Sequence, residues 1–159
     1  MKVNITVGSS GHINGYLNID PITGSDDQEG DAVKCDVRNL DGLVMDSQCH
    51  EIIAENVLDY LTVTDATAAL SNWTKKLRHK GRIIVGGTDA YEASKQFSQG
   101  VISLSQYNYI VHGSMGSPWE VKLSHNTVSS LESSLKFLGI KILKKRINGL
   151  NMVIEGERT

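Results

Sequence analysis

Cysteine is scarce in this sequence. Cys35 and Cys49 are the two thiols among 159 residues, and they form no C-x-x-C pair. Such usage supports neither a disulfide framework nor a thiolate metal site. The expectation is two free thiols in a reducing compartment, with the cytoplasm as location and no bound metal. Long apolar runs are missing too. None approaches the roughly 18 residues a transmembrane helix needs, and the N-terminus lacks the basic-then-apolar pattern of a secretory leader. No membrane partner is therefore expected. Positive charge is not in excess, since 16 Lys and Arg face 18 Asp and Glu for a formal net charge of −2. That removes the electrostatic basis for a nucleic-acid partner. No internal repeat or linker breaks the chain, and 40% hydrophobic with 21% charged residues is ordinary globular usage. A single domain over residues 1–159 is expected.

What the sequence does hold begins at its N-terminus. Val3, Ile5 and Val7 alternate with polar residues, the period of a half-buried strand. Gly8-Ser9-Ser10-Gly11 follows, and then Tyr16-Leu17-Asn18-Ile19-Asp20, a second apolar run ending on a carboxylate. Glycine lets backbone approach a ligand closely, and an acid at the tip of the next strand is a usual acceptor for a ribose diol. These residues read as a site for a ribose-bearing cofactor, although on their own they are more often a surface turn.

Residues 21–30 are polar and glycine-rich and read as loop. Residues 31–36 read as a short strand that again ends on an acid, Asp36, and residues 49–54 as another strand passing into a short helix over 55–61. Ala66, Ala69, Leu70, Trp73 and Leu77 share one face of a 3.6-residue period. That spacing predicts a helix capped by Thr64 or Asp65 and stopped at Gly81, with Lys75, Lys76, Arg78 and His79 complementing its dipole on a solvated face. Residues 82–87 read as a buried strand. From 88 to 126 the pattern dissolves into an irregular, aromatic-bearing excursion of the kind that covers a substrate or packs back on the core. Val128, Leu131, Leu135 and Leu138 mark a second helix, capped by Asn126 or Thr127 and stopped at Gly139. Asn148-Gly149 between two apolar runs predicts a terminal hairpin.

Taken in order, these parts resemble the class I S-adenosylmethionine-dependent methyltransferases, and more narrowly their small, type 11-like members. Gly15-Tyr16-Leu17-Asn18-Ile19-Asp20 stands for the "GW-N-D" second strand, and Asn56 through Leu61 for the "hvLEHl" helix. Trp73 through Ile83 matches the "w.rvLkpGG.l" run, and Leu131 through Ile140 the late "L..l...GF" helix preceded by a histidine, here His125. The resemblance implies an α/β fold: a Rossmann-like, mostly parallel twisted sheet with helices on both faces and a C-terminal antiparallel hairpin. It implies S-adenosylmethionine as cofactor, with Gly8, Ser9, Ser10 and Gly11 at its methionine and ribose end. Asp20 would bind the ribose hydroxyls, Asp36 and Val37 would meet the adenine, and Ala54, Glu55 and Asn56 would lie beneath the sulfonium.

The implied reaction is methyl transfer to the hydroxyl of a small molecule or sugar, with His125 as first choice of base and His112 as second. His12, in the first loop, is weaker. His125 also precedes a helix start, where its ring would serve orphan backbone N–H groups instead. Several features depart from the family. Ser9-Ser10 narrow the first loop, Asp59-Tyr60 replaces Glu-His, and only seven residues, Ser9 through Gly15, separate the first two strands. A helical crossover takes a dozen or more, so either that connection is an extended loop or the pair is not parallel. The departures leave room for a catalytically silent cofactor-binding or assembly protein. A nicotinamide enzyme would need G-x-G-x-x-G opening a helix, which the first loop does not supply. The oligomeric state stays open, a homo-oligomer included. As a residue at a strand end, Asp20 is expected to be replaceable by Ala with little harm to folding.

Overall fold

The architecture is described from a computed structural model covering residues 1–8, 11–26 and 31–159. Strand β1 (Lys2–Ile5) pairs in parallel with β2 (Leu17–Ile19) on one side and with β3 (Cys49–Ala54) on the other. Strand β4 (Leu77–Thr88) continues the parallel set, with Ile52 opposite Ile83 and Ala54 opposite Val85. Strand β6 (Asn151–Arg158) then lies antiparallel between β4 and β5 (Ile140–Asn148), giving the order β2-β1-β3-β4-β6-β5. This is a mostly parallel sheet closed by a C-terminal antiparallel hairpin, as expected. The carboxyl ends of β1 to β4 share one edge, where ligands of such sheets bind.

The first crossover is the extended loop, not an antiparallel pair. No helix lies among the described residues that join these two parallel strands, and two buried asparagines take its place. Asn4 Nδ2 donates to Gly11 O at 2.9 Å, and Asn18 Oδ1 accepts from Ile13 N at 2.9 Å while its Nδ2 returns to Ile13 O. These bonds satisfy loop backbone groups that a helix would have satisfied internally. Residues 31–36 are not a strand. Val33 makes only isolated bridges, to Ile19 and Ser25, because the turn at Gly24 folds Ser25 back against it and uses its edge.

Helix α1 (Val63–Lys76) begins earlier than the sequence suggests. Thr62 is the cap, accepting from Asp65 N, and Asp65 sits inside the first turn. The helix ends at Lys76 and runs straight into β4, so Gly81 is a strand residue at an irregular register, not a helix stop. A β-carbon there would stand 2.8 Å from the Cys49 carbonyl, which explains the glycine. Arg78 and His79 belong to β4. The Lys76 side chain is only 4% exposed and donates to Asp41 at 2.5 Å and Asp46 at 2.7 Å, so it does not lie on a solvated face. Trp73, fully buried on the same helix, donates its indole N–H to Val37 O at 2.9 Å and pins the loop before β3.

The first part of the excursion is not irregular. It folds into α2 (Ala90–Ser98) and α3 (Leu104–His112), which pack on each other through stacked Phe97 and Tyr107 rings with centroids 4.6 Å apart. Asp89 caps α2, and Ser103 with Gln106 forms a capping box on α3. The end of the chain follows its sequence signals. Helix α4 (Val128–Phe137) is capped by Thr127, and Gly139 follows at φ +80°. The hairpin turns on Gly149-Leu150, one residue later than an Asn-Gly turn would, since Asn148 pairs with Asn151. Leu70 and Trp73 of α1 and Leu131 and Leu135 of α4 join Val3, Ile52, Ile83 and Ile154 in one core. No described helix is long and apolar enough to cross a membrane.

Candidate functional site

Gly8 leaves β1 at φ +67°, and its N–H donates to Asp20 Oδ1 at 3.1 Å. The same oxygen accepts the N–H groups of Ile22 at 2.8 Å and Thr23 at 2.9 Å, while Oδ2 accepts the Thr6 hydroxyl at 2.7 Å. Asp20 is 0% exposed. The expectation that it stands outside the core is therefore corrected. Burial pushes its carboxyl up, but the donors from Thr23, Thr6, Ile22 and Gly8 together outweigh that and hold it below the usual carboxylate range. Asp20 is a buried staple joining the loop after β1 to the turn after β2.

The other expected cofactor residues that the structure describes are found in different states. Ser9 and Ser10 fall outside the described residues. Gly11 is exposed, and its carbonyl is held by Asn4. Asp36 is exposed and gripped by Arg38 in a two-pronged pair, Nε to Oδ1 at 2.9 Å and Nη2 to Oδ2 at 2.6 Å. That guanidinium holds the Asp36 carboxyl below its usual range. Val37 is buried, with its carbonyl turned to Trp73. Ala54 ends β3 fully buried, while Glu55 and Asn56 are exposed and Asn56 takes φ +56°.

A second segment crosses this edge. In the short turn Pro118–Glu120, the Trp119 ring stacks on the Arg38 guanidinium at 5.5 Å. A β-carbon built on Gly8 would meet Glu120 Oε1 at 3.6 Å and Ile22 Cδ1 at 3.1 Å. The turn thus touches both the loop after β1 and the loop bearing Asp36. A cavity of about 270 Å³ opens beside it, lined by Arg38, Tyr60, Leu61 and Asp65 on one hand and by Pro118, Trp119 and Leu123 on the other.

The histidines separate. His112 is exposed at the end of α3. His125 is largely buried, with Nε2 2.6 Å from Val111 O and Nδ1 3.8 Å from Asp59 Oδ2. A carbonyl only accepts, so Nε2 carries the hydrogen. Lys122 Nζ donates to Ile110 O at 2.9 Å and Thr88 Oγ1 at 3.2 Å, and its backbone N–H to His112 O at 3.0 Å. Three successive carbonyls at the end of α3 are thereby taken up by Lys122 and His125. His125 caps no helix start, because Thr127 does that for α4. Asp59, 2% exposed, anchors the group through Thr88 N at 2.9 Å and by charge. Burial raises its carboxyl against the Thr88 N–H and the neighbouring His125 and Lys122. Burial lowers the Lys122 ammonium, against the pull of Asp59.

Sequence reasoning missed Thr6, Arg38, Glu120 and Lys122, saw Trp119 only as one of the excursion's aromatics, and saw Asp59 only as a departure. No local spacing ties them, since each partner comes from a different stretch of chain. The Ser103-x-x-Gln106 box was the one signal that would have found α3.

No known family profile matches the sequence, and no curated protein matches it. Solved structures do. An S-adenosylmethionine-dependent methyltransferase from Methanosarcina mazei shares 12% identity at a TM-score of 0.64, over 99% of this chain and 92% of that one. The 1,6-didemethyltoxoflavin-N1-methyltransferase of Burkholderia thailandensis, with bound 1,6-didemethyltoxoflavin and S-adenosylhomocysteine, shares 12% at 0.60 over 98% and 71%. An O-methyltransferase family protein from the same organism shares 10% at 0.56 over 80% of this chain, which spans 35% of that protein's length. At such identities the likeness is one of fold: the chain has the fold of the S-adenosylmethionine-dependent methyltransferases.

Proposed function

We propose that this chain binds S-adenosylmethionine across the carboxyl ends of β1, β2 and β3 and directs its methyl group to the hydroxyl of a small molecule or sugar. The fold carries this reading, with a glycine loop leaving β1 at the edge where parallel sheets hold ligands. Gly8 fits the role, because a β-carbon there would fill the space between Ile22 and Glu120. In this reading Gly8, Ser9, Ser10 and Gly11 hold the methionine and ribose end. Asp36 and the Val37 backbone hold the adenine, and Ala54, Glu55 and Asn56 floor the sulfonium. Asp20 fixes the loop in place, and contact with the ribose requires one of its internal donors to give way. Asp36 likewise reaches a purine only once Arg38 loosens its grip.

When bound, the cofactor supplies an electrophilic methyl group on sulfur. The chain's own tasks are to align the acceptor, exclude water and take up the acceptor's proton. Largely buried and with its ring held to Val111 O, His125 is placed to hold the end of α3. That makes exposed His112 the freer base. Titration calorimetry with S-adenosylmethionine and S-adenosylhomocysteine tests the cofactor. A panel of hydroxyl and amine acceptors, assayed for S-adenosylhomocysteine release, tests the reaction. No heat with either sulfur ligand at protein concentrations near a millimolar Kd refutes the reading. Binding without turnover on any acceptor favours the silent cofactor-binding protein.

A further inference from the structure

We infer that the Pro118–Glu120 turn is a strap across the cofactor cleft, whose Trp119 and Glu120 close on opposite ends of the bound molecule. This rests on the cofactor reading above and adds to it a mobile wall drawn from the far side of the fold. The turn is braced as a unit. Met115 N donates to Glu120 O at 3.1 Å, Glu120 N to Ser117 O at 3.0 Å, and Ser114 Oγ to Glu120 Oε2 at 3.2 Å. Lys122 N closes its base on His112 O. Gly113 at φ +78° leaves α3 where a β-carbon would stand 2.5 Å from Glu120 O, so the way out of the helix is a glycine-only corner. Residues 113–121 are therefore braced as one piece and held to the rest of the fold at those two ends.

The chemistry along the strap follows the chemistry along the ligand. Trp119 presents an indole face at Arg38, whose guanidinium holds Asp36, the purine end of the cleft. Glu120 presents Oε1 at Gly8, the methionine end, where an ammonium and a sulfonium would lie. A flat π face suits a purine, and a carboxylate suits cations. Van der Waals contact between Glu120 and the position of a Gly8 β-carbon leaves no layer for a ligand between them. The strap lifts to admit the molecule and settles on it afterwards.

The test compares three ligands by calorimetry: S-adenosylmethionine, S-adenosylhomocysteine and 5′-methylthioadenosine, which keeps the purine and lacks the amino-acid end. Trp119→Leu should weaken all three about tenfold, the scale of an aromatic stacking contact, and Trp119→Phe should restore most of that loss. Glu120→Gln should weaken the two amino-acid ligands about tenfold and change 5′-methylthioadenosine less than twofold. Melting temperatures near wild type confirm that the variants fold. Wild-type affinities for all three ligands in both Trp119→Leu and Glu120→Gln overturn the strap while the cofactor reading stands. Equal losses on all three ligands in Glu120→Gln overturn the division of roles. A wild-type protein that binds none of them removes both readings.

Discussion

Replacing Asp20 by Ala should destabilise the fold severely, because this carboxylate ties the loop after β1 to the turn after β2 through three backbone N–H groups and a hydroxyl. Its loss strands the N–H groups of Gly8, Ile22 and Thr23 and frees the Thr6 hydroxyl. A buried donor left without a partner costs about 1–3 kcal/mol, and bonds to an ionised acceptor lie at the upper end. Some of these groups will find water after the change, so the sum does not reach four full losses. About 3–5 kcal/mol is expected, a large share of the 5–15 kcal/mol that typically holds a domain together. Asp20→Asn keeps one carbonyl oxygen for the three N–H groups, and the Thr6 hydroxyl can turn to accept. It should cost about 1–2 kcal/mol, chiefly the charge. Urea denaturation of the three proteins measures these differences directly. The pH dependence has a fixed sign. Asp20 is held below its unfolded value of about 3.9, so its contribution is complete above roughly pH 4 and is lost as pH falls through the lower folded value. The Asn variant should lack that part of the acid transition. An Ala variant within 1 kcal/mol of wild type, or an Asn variant with an unchanged acid limb, would refute the staple.

Other consequences are as concrete. Gly87→Ala should lower stability by about 2 kcal/mol or more in the same urea assay, since its β-carbon would stand 2.7 Å from Asp59 Oδ1, a group fixed by Thr88 N. His125→Asn should cost about 1–2 kcal/mol through the lost tie to Val111 O, with turnover held within about threefold. A fall of 10²–10⁴ in kcat at unchanged cofactor affinity would instead return the base role to His125. Ser103→Ala should cost about 1 kcal/mol and speed amide exchange along α3, a helix with no fully buried residue of its own.

The parts that were legible were those written in local periodicity. Alternation in β1, the apolar stripe of α1, the capped α4 and the glycine hairpin all depend on neighbours within a few residues. Strand and helix periods expose that information in one dimension. The same local logic misplaced the start of α1 by passing over Thr62, and it dissolved the excursion because few of its side chains are buried. Helices α2 and α3 hold their form through caps and the Phe97–Tyr107 stack, with little of the apolar stripe that marks a core helix.

By itself the sequence determined several of the strands and helices, the terminal hairpin, and which glycine and acids border the early loops, while it left the direction of the first strand pair open. Only the tertiary structure decided what those acids do. Asp20 faces inward and Asp36 is held by Arg38, while Asp59, last of the three and noted only as a departure, is buried beside a histidine 66 positions further along the chain. A carboxylate's role depends on which donors reach it and how much water is left around it. Both are set by segments far apart in the chain, so no window of sequence contains them.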